Sequence, residues 1–314
     1  LPVFRYLFTD QSWDTLINRW TWDNTDVDGT LIIGTQVCYN VGIHLHGNYS
    51  RYVYKGYAFN AYLNYGQTYN GRRKVAYVFN WEEGARLGVP LSRYIHAQAG
   101  APVFETRMIT VKRRGVQLPL MHYVEPYDEQ FITNQAMPPG TIYKATQAGR
   151  QQAFFTFGGY DKGIYDDCYE AHGSTDPDHR FQDLARALEA MYSLPEEQFI
   201  QQATQYVDYA SIAQARATYH YTKMGDGWPQ WGQNYAVFVG ENTPLQLFNQ
   251  DIGPIGWGPW RLFPTVAGVQ RIMRLPETMH SFWTAMTNLL YGTATTAMEL
   301  NYIEQLYRQA SNDV

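Results

Sequence analysis

The sequence predicts an α+β fold, with a mostly antiparallel sheet in the first part of the chain and helices in the second. Two observations support this prediction. Segments in which apolar and polar residues alternate recur up to Glu125, as in half-buried strands. After Pro126 the apolar residues recur at helical spacing instead, and one small β segment interrupts the helices.

The alternating segments predict a series of strands and one inserted helix in the first part of the chain. A helix is predicted at residues 92–100, because its apolar spacing is helical and it ends on a glycine. Turns are predicted at residues 47–50 and 113–115. The predicted strands are residues 1–8, 30–40, 41–46, 57–65, 75–79, 104–112 and 118–125.

The second part of the chain is predicted to be mainly helical. One segment has Leu184, Leu188 and Met191 on a single face, as an amphipathic helix requires. The predicted helices are residues 128–134, 181–192, 196–206, 208–221, 276–291 and 295–310. A sheet-rich part followed by a helical part is also the lobe order of protein-kinase-like folds. We therefore predict a single two-lobed protein-kinase-like domain, with an N-lobe at 1–125 and a C-lobe at 126–314.

Composition excludes several classes of function. The net charge of −5 does not indicate a nucleic-acid-binding surface, and no apolar run approaches the roughly 18 residues that span a bilayer. Tyrosine (26 residues) and tryptophan (9 residues) are abundant, a composition common in secreted bacterial proteins and carbohydrate binders. The chain starts with a strand-like segment rather than a charged start and an apolar signal core, which predicts a mature or trimmed product. Cys38 and Cys168 could form one disulfide or remain free.

The most informative segment is residues 224–253. Asp226 lies in a loop rich in glycine, tryptophan and proline, Asn234 follows eight residues later, and Asp251 comes after a short apolar strand. Phosphoryl transfer uses such groups, because one carboxylate orients the attacking hydroxyl while an Asn and a second carboxylate hold metal ions against the phosphates. The alternative is that these residues form turns, which is the commoner role of Asp and Asn in loops.

Several other segments agree with the pattern of a known family. In chain order they are residues 1–10 with Trp13 and Leu16, residues 43–51 with Lys55-Gly-Tyr57, and residues 99–103, 122–128 with Phe131, 141–145, 225–235 and 275 onward. Each motif is weak alone. As a collinear set over nearly the whole chain, they resemble the CotH family of spore-coat-type atypical protein kinases.

The resemblance implies an ATP-dependent kinase that uses Mg²⁺ or Mn²⁺ and phosphorylates Ser/Thr hydroxyls of a protein substrate, extracellular or in a coat. The protein is then expected to be secreted or on the cell or spore surface. The implied residues are Asp226 as the catalytic carboxylate, Asn234 and Asp251 at the metal, Lys55 on the α/β-phosphates, Gly47, Ser50 and Arg51 near the phosphates, and Glu125 at a hinge beside the adenine. Kinase-like enzymes that transfer adenylyl or glutamyl groups would fit the same features.

Each candidate has a structural alternative. Asp226, Asn234 and Asp251 could serve their turns, Lys55 could be an exposed strand lysine, and Glu125 could face solvent before a proline turn. The acid that orients the lysine is expected on or near the inserted helix. Glu82, Glu83 and Glu105 are the choices there.

Two departures from the family pattern favour a second hypothesis. His44 and His46 replace the two arginines of the family's R-L-R-G motif, and Asp251 is the one acid where the family's W-D-x-D has two. The alternative is therefore a catalytically impaired pseudokinase that acts as a surface or coat structural or binding protein. The two histidines have a spacing that can bind zinc, but without a third ligand at the usual spacing we expect a structural role. A carbohydrate-active protein is a third hypothesis, resting on composition alone.

Overall fold

A computed structural model describes residues 1–47, 51, 57–78, 87–145, 156–166, 168–173, 181–223, 234–249 and 267–311. The strands are β1 (Val3–Leu7), β2 (Val27–Ile33), β3 (Gln36–Leu45), β4 (Phe59–Tyr62), β5 (Lys74–Val78), β6 (Thr106–Arg113), β7 (Val116–Gln117), β8 (Met121–Val124), β9 (Gly140–Ala145), β10 (Tyr169–Gly173), β11 (Tyr235–Gly240) and β12 (Gln246–Asn249). The helices are α1 (Asp10–Asn18), α2 (Gly88–Gln98), α3 (Glu129–Asn134), α4 (Lys162–Asp166), α5 (Gln182–Ser193), α6 (Glu196–Tyr206), α7 (Tyr209–Thr222), α8 (Ala267–Met273), α9 (Pro276–Asn288) and α10 (Thr296–Ser311).

The chain divides into two compact units. The first unit comprises Leu1–Pro90, Phe104–Pro126 and Asn301–Val314, and the second comprises Leu91–Val103 and Tyr127–Leu300. The prediction that the whole chain is one domain is not tested by this division and stays a prediction. No helix in the described part of the chain combines the length and apolarity that crossing a membrane requires.

The sheet of the first unit closes on itself. Its strand order is β1-β2-β3-β4-β5-β8-β6-β7, and β1 pairs in parallel with β6 as well as antiparallel with β2. Seven strands therefore form a closed ring, and β7 extends from β6 as a short hairpin. Closure leaves the seven strands without a free edge in the ring, which stabilises an antiparallel sheet against pairing with other chains.

Aromatic side chains fill the interior of this closed sheet. Tyr6, Phe59 and Tyr77 are fully buried, with ring centroids 5.4–5.8 Å apart. Along β1 the buried Phe4 and Tyr6 alternate with more exposed residues, so the period of two in the sequence places Tyr6 inside. In β4 and β5, Phe59 and Tyr77 lie within runs of three buried residues. Burial raises the pKa of the Tyr6 and Tyr77 hydroxyls, because the phenolate would lose its hydration.

The predicted two-lobed protein-kinase-like fold is wrong, although the chain is α+β as predicted. A closed seven-stranded sheet occupies the N-terminal region where an N-lobe was expected. The alternation predicted the strands, but the closing pair joins Val3 to Thr110 and Tyr6 to Arg113. A pairing between residues so far apart leaves no local pattern in the sequence, so closure could not be predicted from alternation.

The second unit contains more sheet than predicted. Its four strands have the order β10-β9-β11-β12, and every pairing is antiparallel. The sequence predicted only a small β segment here and missed β9 and β10. Ile142 and Tyr143 in β9 are both fully buried, so this central strand lacks the alternation that marks a half-buried strand.

Most helix predictions are confirmed to within a residue or two. Helix α5 buries Leu184, Leu188 and Met191 as its amphipathic pattern required. Asp128 and Asp208 cap α3 and α7 by accepting hydrogen bonds from Phe131 N and Ser211 N.

Two predicted boundaries are wrong. Residues 30–40 were predicted as one strand that ends at residue 40. In the structure, β2 ends at Ile33 and β3 begins at Gln36, and the chain turns between them at Gly34 (φ 61°) and Thr35. The helix predicted at 276–291 ends at Asn288 and continues as a π-helical turn over Leu289–Thr293.

Replacing Gly173 by alanine should lower the free energy of unfolding by about 2–4 kcal/mol, because overpacking and a strained φ each cost of order 1–2 kcal/mol. Gly173 has φ +133°, and a Cβ there would lie 2.4 Å from the carbonyl oxygen of Gly140. Urea unfolding measures the change. Gly163→Ala is the control, since its Cβ meets nothing closer than 3.4 Å and the stability should stay within about 0.5 kcal/mol. Equal stabilities of the two variants would contradict this prediction.

Candidate functional site

Half of the predicted site residues lie outside the described residues. These are Lys55, Ser50, Asp226 and Asp251. Glu82 and Glu83, two of the three candidates for the acid that orients the lysine, also lie outside the described residues. The structure does describe Gly47, Arg51, Glu125 and Asn234, the first three in the first unit and Asn234 in the second. The functional roles of all eight site residues stay predictions.

The hairpin of β11 and β12 begins directly after Asn234, one of the two predicted metal ligands. Tyr235 and Asn249 are paired across the two strands, so Asn234 lies at the open end of the hairpin. Asp251 is the second residue beyond Asn249. Asn234 has φ 56°, a left-handed conformation that Asn adopts more readily than most residues. Asn234 directly precedes β11.

Asn249 is held by a buried network that the sequence did not reveal. Its side-chain amide Nδ2 donates towards Nε2 of His96 (2.9 Å), the carbonyl oxygen of Ala215 (3.1 Å) and Oγ1 of Thr218 (3.3 Å). Its own carbonyl oxygen accepts a hydrogen bond from the hydroxyl of Tyr127 (3.0 Å). We call these five residues the Asn249 clamp. The clamp fixes the last residue of β12 to α2, α7 and the segment before α3.

His96 is neutral in this network. Its Nδ1 lies 2.7 Å from the carbonyl oxygen of Ser92 and donates to it, so Nε2 carries the lone pair that accepts from Asn249. The ring is 1% exposed, and burial lowers the pKa of His96 to about 4. A protonated His96 would place two donors face to face at Asn249.

The stability of the protein should therefore fall in acid because of His96. In the unfolded chain the His96 side chain takes up a proton near pH 6.5, whereas in the folded protein it does so only near pH 4. The stabilisation that is present above pH 6.5 is therefore lost as the pH falls towards 4. His96→Gln has no group that titrates at this position, so its stability lacks this pH dependence. The difference in free energy of unfolding between the wild type and the variant should therefore shrink by an amount on the order of 3 kcal/mol over this range. Urea unfolding at several pH values measures the gap. A gap that stays constant would contradict the assignment of a neutral His96.

Glu125 is buried rather than solvent-facing. It is 3% exposed and forms an ion pair with Arg72, which also donates to the carbonyl oxygen of Pro126 (3.1 Å). The second carboxylate oxygen accepts from the main-chain N–H of Glu105 (2.6 Å). Both oxygens are thus engaged within the first unit. Glu105, the one described candidate for orienting the lysine, forms an ion pair with Arg107.

Arg51 is buried against the segment that precedes β2. Its Nη1 donates to Oδ1 of Asn24 (2.6 Å) and to the carbonyl oxygen of Thr21 (3.4 Å), and the guanidinium lies 6.0 Å from the ring centroid of Trp22. Burial lowers the pKa of Arg51, with a smaller effect in the same direction from Arg19. This packing holds residue 51 in place at the end of the predicted phosphate loop. Gly47, at the other end, has φ 93°, a conformation that favours glycine.

Comparison with protein families identifies the family. The family model described as CotH kinase protein matches residues 43–309, which is most of the chain. The chain belongs to the CotH kinase family. No match is found among curated proteins. The resemblance inferred from the motifs is thereby confirmed, and with it a relation to kinases.

The two histidines that depart from the CotH pattern have a structural role in the described part of the protein. Asn60 joins them: its Oδ1 lies 2.8 Å from Nδ1 of His46, and its Nδ2 lies 3.0 Å from Nε2 of His44. Nδ1 of His44 donates to Asp26 (2.8 Å). Burial lowers the pKa of His44, and the bond to Asp26 opposes this shift. The network connects β3 to β4 directly before Gly47.

The described residues contain no cluster of three or more His, Cys, Asp or Glu side chains that could hold a metal ion. Of the two predicted metal ligands, Asn234 is among the described residues and Asp251 is not. Of the two possibilities for the cysteines, the structure shows that they do not form a disulfide. Both are buried thiols, Cys38 in the first unit and Cys168 in the second.

Proposed function

We propose that this CotH-family protein transfers the γ-phosphoryl group of ATP to Ser or Thr hydroxyls of a protein. Membership of the CotH kinase family over residues 43–309 is the observation that carries the proposal. The register of the β11–β12 hairpin adds support. Asn234 precedes Tyr235, the residue paired with Asn249, and Asp251 follows Asn249 by two residues in the sequence.

The residues fit a nucleotide with a divalent metal. The amide oxygen of Asn234 and the carboxylate of Asp251 are hard oxygen donors of the kind that Mg²⁺ and Mn²⁺ bind. Lys55 would bind the α/β-phosphates, and the main chain at Gly47, with Ser50 and Arg51, would face them. Glu125 would lie by the adenine.

The proposed role of Asp226 is to orient the acceptor hydroxyl and to accept its proton as the hydroxyl oxygen attacks. When bound, the metal–ATP complex supplies the phosphoryl group and the positive charge that offsets its oxygens. Asn234 and Asp251 would hold the metal, and Lys55 would bind the α/β-phosphates. Because so little covalent chemistry falls to the protein, positioning accounts for most of the rate enhancement.

The acceptor is proposed to be an extracellular or coat protein. The family is associated with the spore coat, which supports a location at the cell or spore surface. The abundance of tyrosine and tryptophan agrees with a secreted protein.

Incubation with γ-labelled ATP and Mg²⁺ or Mn²⁺ tests the proposal. The protein itself or a generic acceptor such as casein should become labelled, and chelation of the metal should abolish the label. Absence of label on both, at several concentrations of each metal, would refute phosphoryl transfer.

A second candidate function is a non-catalytic binding or coat protein. The observation that favours it is that Asp251 is the single acid at the position where the family's W-D-x-D motif has two. Asn249, two residues earlier in the sequence, has its side-chain amide hydrogen-bonded within the clamp. Thermal unfolding with ATP and Mn²⁺ distinguishes the candidates. A ligand at a hundred times its dissociation constant adds about 2.7 kcal/mol of stability, so a protein that does not respond has lost its nucleotide site.

A further inference from the structure

We propose that His44 and His46 share a single proton through the side-chain amide of Asn60, and that these three side chains form a pH-sensitive switch between β3 and β4. His46 takes up the proton, and His44 stays neutral as long as His46 is charged. The amide of Asn60 is the part with two states, because a half-turn about its Cβ–Cγ bond exchanges the oxygen with the nitrogen. The switch would operate whether or not the protein transfers phosphate.

The hydrogen bonds of this network fix where each hydrogen lies. The ionised carboxylate of Asp26 can only accept, so Nδ1 of His44, at 2.8 Å from Oδ1, carries the hydrogen. Nε2 of the neutral His44 ring is then an acceptor, and it receives a hydrogen bond from Nδ2 of Asn60 (3.0 Å). The other end of the amide, Oδ1, faces Nδ1 of His46 (2.8 Å), which must therefore donate. Asp26 thus determines, through His44, which way the Asn60 amide points.

The network has room for one proton, and that proton binds at His46. Nε2 of His46 takes no part in the three hydrogen bonds, so a proton can bind there while all three persist. Both nitrogens of His44 are already engaged, and a proton on its Nε2 would face the NH₂ group of Asn60. The amide would then have to rotate, and its nitrogen would point at Nδ1 of His46. That nitrogen can accept only in a neutral ring, so the two histidines cannot both be charged with the network intact.

Burial also keeps the proton away from His44. His44 is 8% exposed, whereas His46 is half-buried, so a charge on His46 keeps more of its hydration. Burial lowers the pKa of His44, and the hydrogen bond and charge of Asp26 oppose this shift. The other charged or titratable groups that face the ring lie on the two following strands and at the end of the predicted phosphate segment: Tyr62, Lys74 and Arg51. The two cations lower the pKa further, and the tyrosine ring stacks on His44 with centroids 5.5 Å apart.

The switch changes the charge at two positions where the CotH pattern has arginines. An arginine stays charged throughout the physiological pH range. The pair of His44 and His46 instead carries at most one positive charge, and it loses that charge as the pH rises. His46 directly precedes Gly47, the first residue of the predicted phosphate segment. In this protein the positive charge at the end of β3 is therefore set by the pH.

Nitrogen-15 NMR of the histidine rings tests the proposal on the intact protein. Correlations between ring protons and ring nitrogens distinguish the two neutral tautomers from the charged ring, and His44→Gln and His46→Gln assign the signals. Between about pH 8 and pH 5, where histidine ordinarily titrates, His46 should become charged while His44 remains the neutral tautomer with its hydrogen on Nδ1. A His46 that stays neutral, a His44 that is charged first, or two charged rings within this range would overturn the proposal.

Asn60→Asp tests whether the amide couples the two rings. The substitution replaces the amide nitrogen by an oxygen that accepts, so both rings can donate to residue 60. The His44 ring should therefore become charged at a pH that is higher by about 1–3 units. Asn64→Asp is the matched control, because Asn64 is exposed two residues beyond the end of β4 and its Oδ1 accepts from the main-chain N–H of Tyr65 (2.7 Å). In this variant His44 should titrate as in the wild type.

His46→Gln provides a second test of the coupling if Asn60→Asp does not fold. Glutamine can offer either an oxygen or a nitrogen to Asn60 and carries no charge. The Asn60 amide is then free to rotate, so His44 should take up its proton at a higher pH than in the wild type. An unchanged titration of His44 in either folded variant would contradict the coupling and overturn the switch.

Discussion

Replacing Asp226 by asparagine should lower the rate of phosphoryl transfer by about 10²–10⁴-fold, the usual contribution of a positioned general base. The amide is nearly isosteric with the carboxylate, but it cannot accept the proton of the acceptor hydroxyl. Binding of ATP should change little, because the proposed contacts with the phosphates come from other residues. Initial rates with γ-labelled ATP measure the loss of transfer, and titration with nucleotide measures the retained affinity.

Asp161→Asn is the matched control for this experiment. Asp161 is a turn aspartate whose Oδ1 accepts from the main-chain N–H of Gly163 (2.9 Å), which is the role that the structural alternative assigns to Asp226. The control should keep the wild-type rate. If Asp226→Asn also stays within a few-fold of the wild type, Asp226 is only a turn residue and the proposed role is wrong.

Replacing Glu125 by alanine should destabilise the protein by about 3–5 kcal/mol, because it leaves a buried arginine without its carboxylate. Arg72 and Glu125 each have a side chain that is 3% exposed, so water does not replace the lost partner. The variant also removes the acceptor for the N–H of Glu105. Urea unfolding of the purified variant measures the loss.

Two comparisons show whether the effect comes from the buried charge. Glu304→Ala breaks an ion pair with Arg308 in which the side chains are 59% and 74% exposed, and it should change the stability by less than about 1 kcal/mol. The double variant Arg72→Met, Glu125→Leu should recover much of the loss, since it removes both charges from the interior. A double variant no more stable than Glu125→Ala would contradict this account.

Local patterns predicted the helices well and the sheets only in part. The apolar stripe of α5 and the capping aspartates of α3 and α7 lie within a few residues of one another, so the sequence displays them directly. The closed sheet depends on the pairing of Val3 with Thr110, which no local pattern encodes. Strand β9 was missed because its neighbouring residues are buried together and do not alternate.

The candidate site follows the same division. The ordered segments that resemble the CotH family could be recognised in the sequence, and the family assignment that they suggested together is confirmed. The hydrogen-bonding partners of Glu125 and Asn249 could not be recognised in the sequence. Arg72 is 53 residues from Glu125, and His96 is 153 residues from Asn249. A buried charge or amide finds its partner through the tertiary fold, and a single sequence carries no signal for such a pair.

The measurement that tests phosphoryl transfer most directly is the intact mass of the protein and of an added acceptor after incubation with ATP and Mn²⁺. The account predicts that wild-type protein adds the mass of whole phosphoryl groups to one of the two, and that Asp226→Asn adds almost none over the same time. A mass increase equal to an adenylyl group, or no increase with the wild type, would contradict it.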